Sequence, residues 1–263
     1  MPSFTGKTFA SFYKNILGIN QSTNTGVDAT GRSIQDGAGN NTCMSVSDDT
    51  LDITPKNDNT ISTFRVRSTT NNVLACDTIN SKVLVGPSQV SATTLFKEMG
   101  LYEFSPNSAG YHYPLISNRV GMQGAEALTY DDDWGNGTDP PTSLDSSGLT
   151  DNENVIAIYW YLENDITLDP VRYMCMSDGV TETLNFHLFS YDLDVSSNFG
   201  DLSNGVVNAN ASETNASGTG MRTGTFSLNA ADIDANKVVI GFAEPSSSTD
   251  DFSVHFNIKY HIR

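Results

Sequence analysis

Four histidines, His112, His187, His255 and His261, are where this 263-residue chain would first be searched for chemistry. None stands in an HExxH arrangement or beside a serine or cysteine in a nucleophile motif, and no glycine-rich phosphate loop accompanies them. His187 and His255 fall inside strand-like runs, Asn185-Phe186-His187-Leu188-Phe189 and Val254-His255-Phe256, where a packed or surface imidazole is expected rather than a catalytic one. Cys43, Cys76 and Cys175 are widely spaced, with no CxxC and no histidine at zinc-ligand spacing, so three buried free thiols are expected. Carboxylates are plentiful but cluster in turns. Glycoside hydrolysis needs two of them held about 5–9 Å apart, and abundance alone does not place such a pair.

Two groups of residues have binding rather than catalytic character. Residues 131–139 gather Asp131, Asp132, Asp133 and Asp139 around Gly135 and Gly137. Their hard oxygens suit Ca²⁺, although the spacing of a known calcium loop is incomplete. Trp134, Tyr111 and Tyr113 stand near turns, where exposed aromatic rings would stack on sugars of a cell surface; core packing is the alternative for the tyrosines. The reading therefore assigns no catalytic residue, no cofactor and no metal.

The elements that must position these residues read as β structure. Residues 7–19 are the exception, with Phe9, Phe12, Tyr13, Ile16 and Leu17 at helical spacing. A polar run over residues 20–41 follows, too poor in large apolar side chains to make a core. Residues 1–42 are thus expected to be a docking arm, the alternative being a helix folded back on the main domain. Residues 43–86 carry short alternating runs separated by turn residues, with Val46, Leu51, Ile53, Phe64, Val66, Leu74, Val83 and Val85 as the apolar positions. One copy of such a ladder buries too little surface to stand alone. A homotrimeric stem, resembling a β-prism and sharing a core made of those eight residues, is therefore expected.

Residues 87–100 read as a connector and residues 101–263 as a head. There, longer apolar strands are expected over 155–162, 171–176, 183–191, 221–228, 237–244 and 252–262. Turns rich in glycine and asparagine separate them, as in an antiparallel β-sandwich of jelly-roll type. The fold class is all-β.

Thirty-one acidic against 14 basic residues give a formal charge of −17, which repels a polyanion and argues against nucleic acid as a partner. No signal-peptide core and no run of eighteen apolar residues is present, so cytosolic synthesis without membrane insertion is expected.

Three phrases stand out: Phe4-Thr5-Gly6-Lys7-Thr8-Phe9-Ala10-Ser11-Phe12-Tyr13-Lys14-Asn15-Ile16-Leu17-Gly18-Ile19 at the start, Phe64-Arg65-Val66 followed by Asn72-Val73-Leu74-Ala75-Cys76-Asp77-Thr78 and Ser81-Lys82-Val83-Leu84-Val85-Gly86 in the expected stem, and Asn257-Ile258-Lys259-Tyr260-His261-Ile262-Arg263 at the end. Together they resemble structural fibre or decoration proteins of marine tailed bacteriophages. The resemblance implies a virion component without catalytic residues. It would be a homotrimer held by capsid or tail proteins through its N-terminal part, its β-domain projecting outward where it can touch a host glycan. A tail fibre, a polysaccharide-cutting appendage and a sandwich lectin are the competing readings.

Overall fold

A computed structural model describes residues 17–21, 26–57, 63–79, 82–86, 90–117, 134–145, 152–179, 181–196, 200–215 and 220–263. The fold is all-β and divides into two units, residues 1–92 and 93–263.

The first unit contains two four-stranded antiparallel sheets. One joins β1 (Gly18–Ile19), β2 (Arg32–Gln35), β3 (Asn41–Val46) and β4 (Leu51–Ile53) in chain order; the other joins β5 (Phe64–Arg67), β6 (Asn72–Asp77), β7 (Lys82–Val85) and β8 (Val90–Ser91). The ladder therefore begins well before residue 43, and the expected polar tether is partly sheet. Turn chemistry explains this. The Asp36 carboxylate accepts bonds from the backbone N–H groups of Ala38 and Asn40 and from the Asn40 amide, each at 2.9 Å, while Gly39 takes a φ of +84°. A polar sequence thus closes a β2–β3 hairpin without a core. The helix expected over 7–19 is overturned at its end, where Gly18 and Ile19 pair with Gln35 and Ile34. Phe9, Phe12, Tyr13 and Ile16 lie outside the described residues, and Leu17 is exposed.

The second unit is a sandwich of two antiparallel sheets. Its strands are β9 (Thr94–Phe104), β10 (Tyr113–Pro114), β11 (Trp160–Tyr161), β12 (Ile166–Ser177), β13 (Thr183–Asp194), β14 (Asp201–Thr214), β15 (Arg222–Thr225), β16 (Ser227–Leu228), β17 (Asp232–Ile233), β18 (Lys237–Pro245) and β19 (Phe252–Ile262). One sheet runs β15-β12-β19-β9 and the other β10-β18-β13-β14-β16; β17 and β11 add to β12 and β18. The pairs β9·β19, β10·β18, β12·β15 and β13·β14 nest one inside another along the chain. That is a four-pair ribbon rolled on itself, the jelly roll. Residues 94–100, expected to be connector, are the first half of β9.

Strict alternation builds the inner face. In β12, Val171, Tyr173 and Cys175 are buried while Arg172, Met174 and Met176 face out. Pro170, which lacks an N–H, falls where the β12–β19 register shifts between Leu168 and Val171. Gly241 of β18 is required by close approach of the sheets, since a Cβ there would meet Met99 Sδ and the Phe256 ring at 3.1 Å.

The sheet containing β13 and β18 is buried on both faces. Leu184, Phe186, Leu188, Val239 and Ala243 face the other sheet, whereas Phe189, Tyr191, Val238, Ile240 and Phe242 pack beneath a cover of Trp134, Leu144, Val155, Ile158 and Tyr159. Residues 155–162, expected to form a strand, are mostly this cover. A 3₁₀ segment, Asn152–Ala157, precedes only a two-residue strand. Val155, Ile158 and Tyr159 are buried while Ile156 is exposed, so the run has the period of a helical turn rather than of a strand.

Two thiol expectations are also revised. Cys43 is exposed and Cys76 half-buried; only Cys175 is buried, and burial pushes its pKa up to about 12. Cys175 is thus expected to stay unmodified by a thiol reagent at pH 8 in the native protein and to react on unfolding, as read by mass spectrometry. Phe186 lies at the centre of the head, 4.8 Å from the Tyr173 ring and 5.6 Å from that of Phe256. Phe186→Ala is expected to lower the unfolding free energy by about 3–5 kcal/mol in denaturant titration, against less than about 0.5 kcal/mol for exposed Val195→Ala.

Candidate functional site

The outer face of the β13–β18 sheet changes from apolar to polar along its length. Antiparallel register sets His187 opposite Phe242 and Asn185 opposite Glu244. It also sets Tyr113 opposite Ala243, which brings His112, the residue before β10, alongside Glu244. On the other flank His187 faces Asn210 and Asn185 faces Ser212. Side chains opposite one another share a face, so these polar groups continue the row that begins with Phe242. Asn185, His187, Asn210, Ser212 and Glu244 form the floor of a cleft of about 620 Å³ whose rim is Asn136, Gly137, Thr138 and Asp139, and the fully buried His112 packs against His187 without lining it.

Two imidazoles are sunk in this floor. The side chains of His112 and His187 are 0% and 7% exposed, and their rings meet edge to face with centroids 5.2 Å apart. The Nδ1–H of His112 donates to the carbonyl of Gly135 at 3.0 Å. Because a carbonyl only accepts, the tautomer follows: Nε2 carries the lone pair. That Nε2 is 3.9 Å from Glu244 Oε2, and so is His187 Nε2. His187 Nδ1 faces the Asp139 carboxylate at 3.7 Å. None of these separations is a hydrogen bond. His112 Nε2 and both nitrogens of His187 are buried without a hydrogen-bond partner. Glu244 itself accepts from the Asn185 amide at 3.0 Å.

Burial holds both imidazoles in the neutral form. Desolvation takes His187 down to about 4, with His112 adding to the shift and Asp139 opposing it. It also lowers His112, against the Gly135 carbonyl and the charge of Glu244.

Sequence reasoning missed this cluster, because residues 112, 187 and 244 lie on three separate elements and no local spacing signals them. The only legible hint was a histidine in the strand run 185–189, read as packing. The aromatic residues expected to touch glycans are placed differently. Trp134 is 1% exposed with its ring 5.2 Å from that of Phe242, and Tyr113 is 2% exposed with its hydroxyl bonded to Ser108. Neither presents a face to a sugar; both were required by the core. Tyr111 is half-buried against that core. Of the expected calcium loop, Asp131, Asp132 and Asp133 lie outside the described residues, and Asp139 is turned toward His187.

The eight expected stem residues fall on two separate sheets. Phe64 pairs with Cys76 and Cys76 with Val83; Val66 pairs with Leu74 and Leu74 with Val85. Phe64, Val66, Leu74, Val83 and Val85 therefore share one face of the β5–β6–β7 sheet. Met44 opposite Ile53 and Val46 opposite Leu51 form a similar face on β3–β4. No protein-family model and no curated protein sequence matches the chain.

Buried ring nitrogens without partners cost stability, about 1–3 kcal/mol for each group. In metal-free protein His187→Leu, apolar and close in size, is expected to raise the unfolding free energy by about 1 kcal/mol. A loss as large as that of a core truncation would show the imidazole to be satisfied.

Proposed function

We propose that this chain is a non-enzymatic structural protein of a tailed-bacteriophage virion, a capsid-associated fibre or decoration protein that acts as a homotrimer. The observation that carries this reading is the apolar face of the first unit. Val66, Val83 and Val85 on that face are 49%, 44% and 41% exposed in the single chain, and Leu51 on the β3–β4 face is 61% exposed. Among the described residues of this unit only Ala75 is a buried hydrophobic side chain.

A sheet with aligned apolar rows left in water is an incomplete structure. At about 25 cal/mol per Å², covering such rows with the same rows of two further copies supplies the core that one chain lacks. The same association hides the free edges of β5 and β8, which would otherwise template open-ended pairing. The phrases at both ends and in the stem, similar to those of phage fibre and decoration proteins, support a place on the virion. The head supplies a rigid projecting body. Among the described residues no helix is long and apolar enough to cross a membrane.

Light scattering of the purified full chain is expected to give three times the chain mass of 28.4 kDa. Val66→Asp, which places a charge in the shared face, is expected to give a monomer whose head keeps its near-ultraviolet circular dichroism. A wild-type monomer in dilute solution would reject the trimer. An antibody raised against the head is expected to decorate intact particles at the capsid; label confined to the tail would move the protein there. Removal of residues 1–16 is expected to leave trimers folded and to abolish their incorporation into particles.

A further inference from the structure

We infer that His112, His187 and Glu244 form a binding site for one divalent transition-metal ion of the zinc class, at the floor of the cleft in the head. One ligand atom from each of the three residues lies within 4.8 Å of the others. Both Nε2 atoms point at the same carboxylate oxygen of Glu244, at 3.9 Å each. Ligands held about 2.0–2.2 Å from a tetrahedral ion are about 3.3–3.5 Å apart; the two nitrogen–oxygen spacings of 3.9 Å are close to this, and the widest spacing among the three groups, 4.8 Å, must shorten by more than an ångström when a cation is bound.

The arrangement behind the ligands is also that of a metal site. A ligating histidine turns its other ring nitrogen to a carbonyl or carboxylate, which fixes the tautomer and aims the lone pair. His112 does so here, its Nδ1 donating to the Gly135 carbonyl at 3.0 Å, while the Asp139 carboxylate stands 3.7 Å from His187 Nδ1, beyond hydrogen-bond distance. Glu244 is held in turn by the Asn185 amide. A carboxylate and two buried ring nitrogens converge without a hydrogen bond among them, an arrangement that a cation at the meeting point would satisfy.

Packing of two aromatic rings would explain their burial against Phe242 and Phe189, but not this. A purely structural pair needs no carboxylate between its unpaired nitrogens, and none of the three nitrogens has found a partner elsewhere. Two imidazoles select zinc and its neighbours over calcium or magnesium, which prefer oxygen alone. Two of the three ligands, His187 and Glu244, line the cleft. The ion would tie the segment preceding β10 to β13 and β18, and through Gly135 and Asp139 would fasten the covering loop.

The full chain, dialysed against a chelator and then freed of it, is titrated with Zn²⁺ by calorimetry and with Co²⁺ by visible absorption. The expected result is one ion per chain, Co²⁺ bands of four- or five-coordinate intensity, and a rise in melting temperature on loading. H112N, H187N and E244Q are each expected to weaken binding by at least about 100-fold. H255Q, which alters the pair His255 and Glu98 on the other sheet, is expected to leave it unchanged. Glu244 lies at the edge of the cleft, so E244Q decides the matter should an imidazole variant fail to fold. No Zn²⁺ or Co²⁺ binding by the folded wild-type chain, or binding that E244Q retains in full, overturns the site. Oligomeric state is unaffected by either outcome, so the test stands apart from that of the trimer.

Discussion

Burial of the β13–β18 sheet on both faces is the constraint from which the head takes its form. A sheet in a sandwich ordinarily turns one face to water, and its strands then alternate apolar with polar. Here Val238, Ile240, Phe242, Phe189 and Tyr191 face away from the sandwich core and would be left in water unless something covered them. The chain supplies the cover from residues 134–145 and 152–159, anchored by Trp134, Leu144, Val155 and Ile158. Backbone bonds hold this cover to the sheet, Leu144 exchanging with Leu202 and Gly205 donating to the Thr142 carbonyl at 2.8 Å. The loop is part of the core, which is why its tryptophan is buried.

The same constraint makes the site. Among the described residues the cover does not extend over the whole face; beyond it, the residues opposite one another are Asn185, His187, Glu244, Asn210 and Ser212 instead of Phe and Val. His112 enters from β10 and is fixed by Gly135 of the cover, whose φ of +73° turns its carbonyl to the imidazole. The polar cluster is thus bounded by rigid strands on one side and by a loop pinned through its own tryptophan on the other. Preorganised ligands need such support, because groups that must be ordered at the moment of binding weaken it.

The fold was legible in the sequence where periodicity was strong. β12, β13, β18 and β19 announced themselves through alternation or through continuous apolar runs of strand length, and the jelly roll followed from their spacing. Register was legible in the stem as well, since alternation alone puts Phe64, Val66, Leu74, Val83 and Val85 on common faces. The misses have physical causes. β9 and β2 are built from sequences weak in apolar pattern, Thr94-Leu95-Phe96-Lys97-Glu98 and Arg32-Ser33-Ile34-Gln35, and take their conformation from a partner strand or a turn. The segment 155–162 carries apolar residues that suit a strand or a helical turn equally, and tertiary packing chose the turn. The cluster of His112, His187 and Glu244 was invisible because it exists only in register, across strands far apart in the chain.

The two units solve the burial problem in opposite ways, and this gives the molecule its division of labour. The head buries two large apolar clusters, one between its sheets and one beneath its own cover. Among the described residues the first unit has no such cluster: its strands are two to six residues long, and no apolar side chain larger than Ala75 is fully buried. With −17 charges on each chain, copies repel one another at long range. At physiological ionic strength that repulsion is screened beyond about 8 Å, whereas apolar attraction acts at contact and is untouched by screening. In the proposed trimer, association would therefore rest on the rows of valine, leucine and phenylalanine that the first unit leaves exposed.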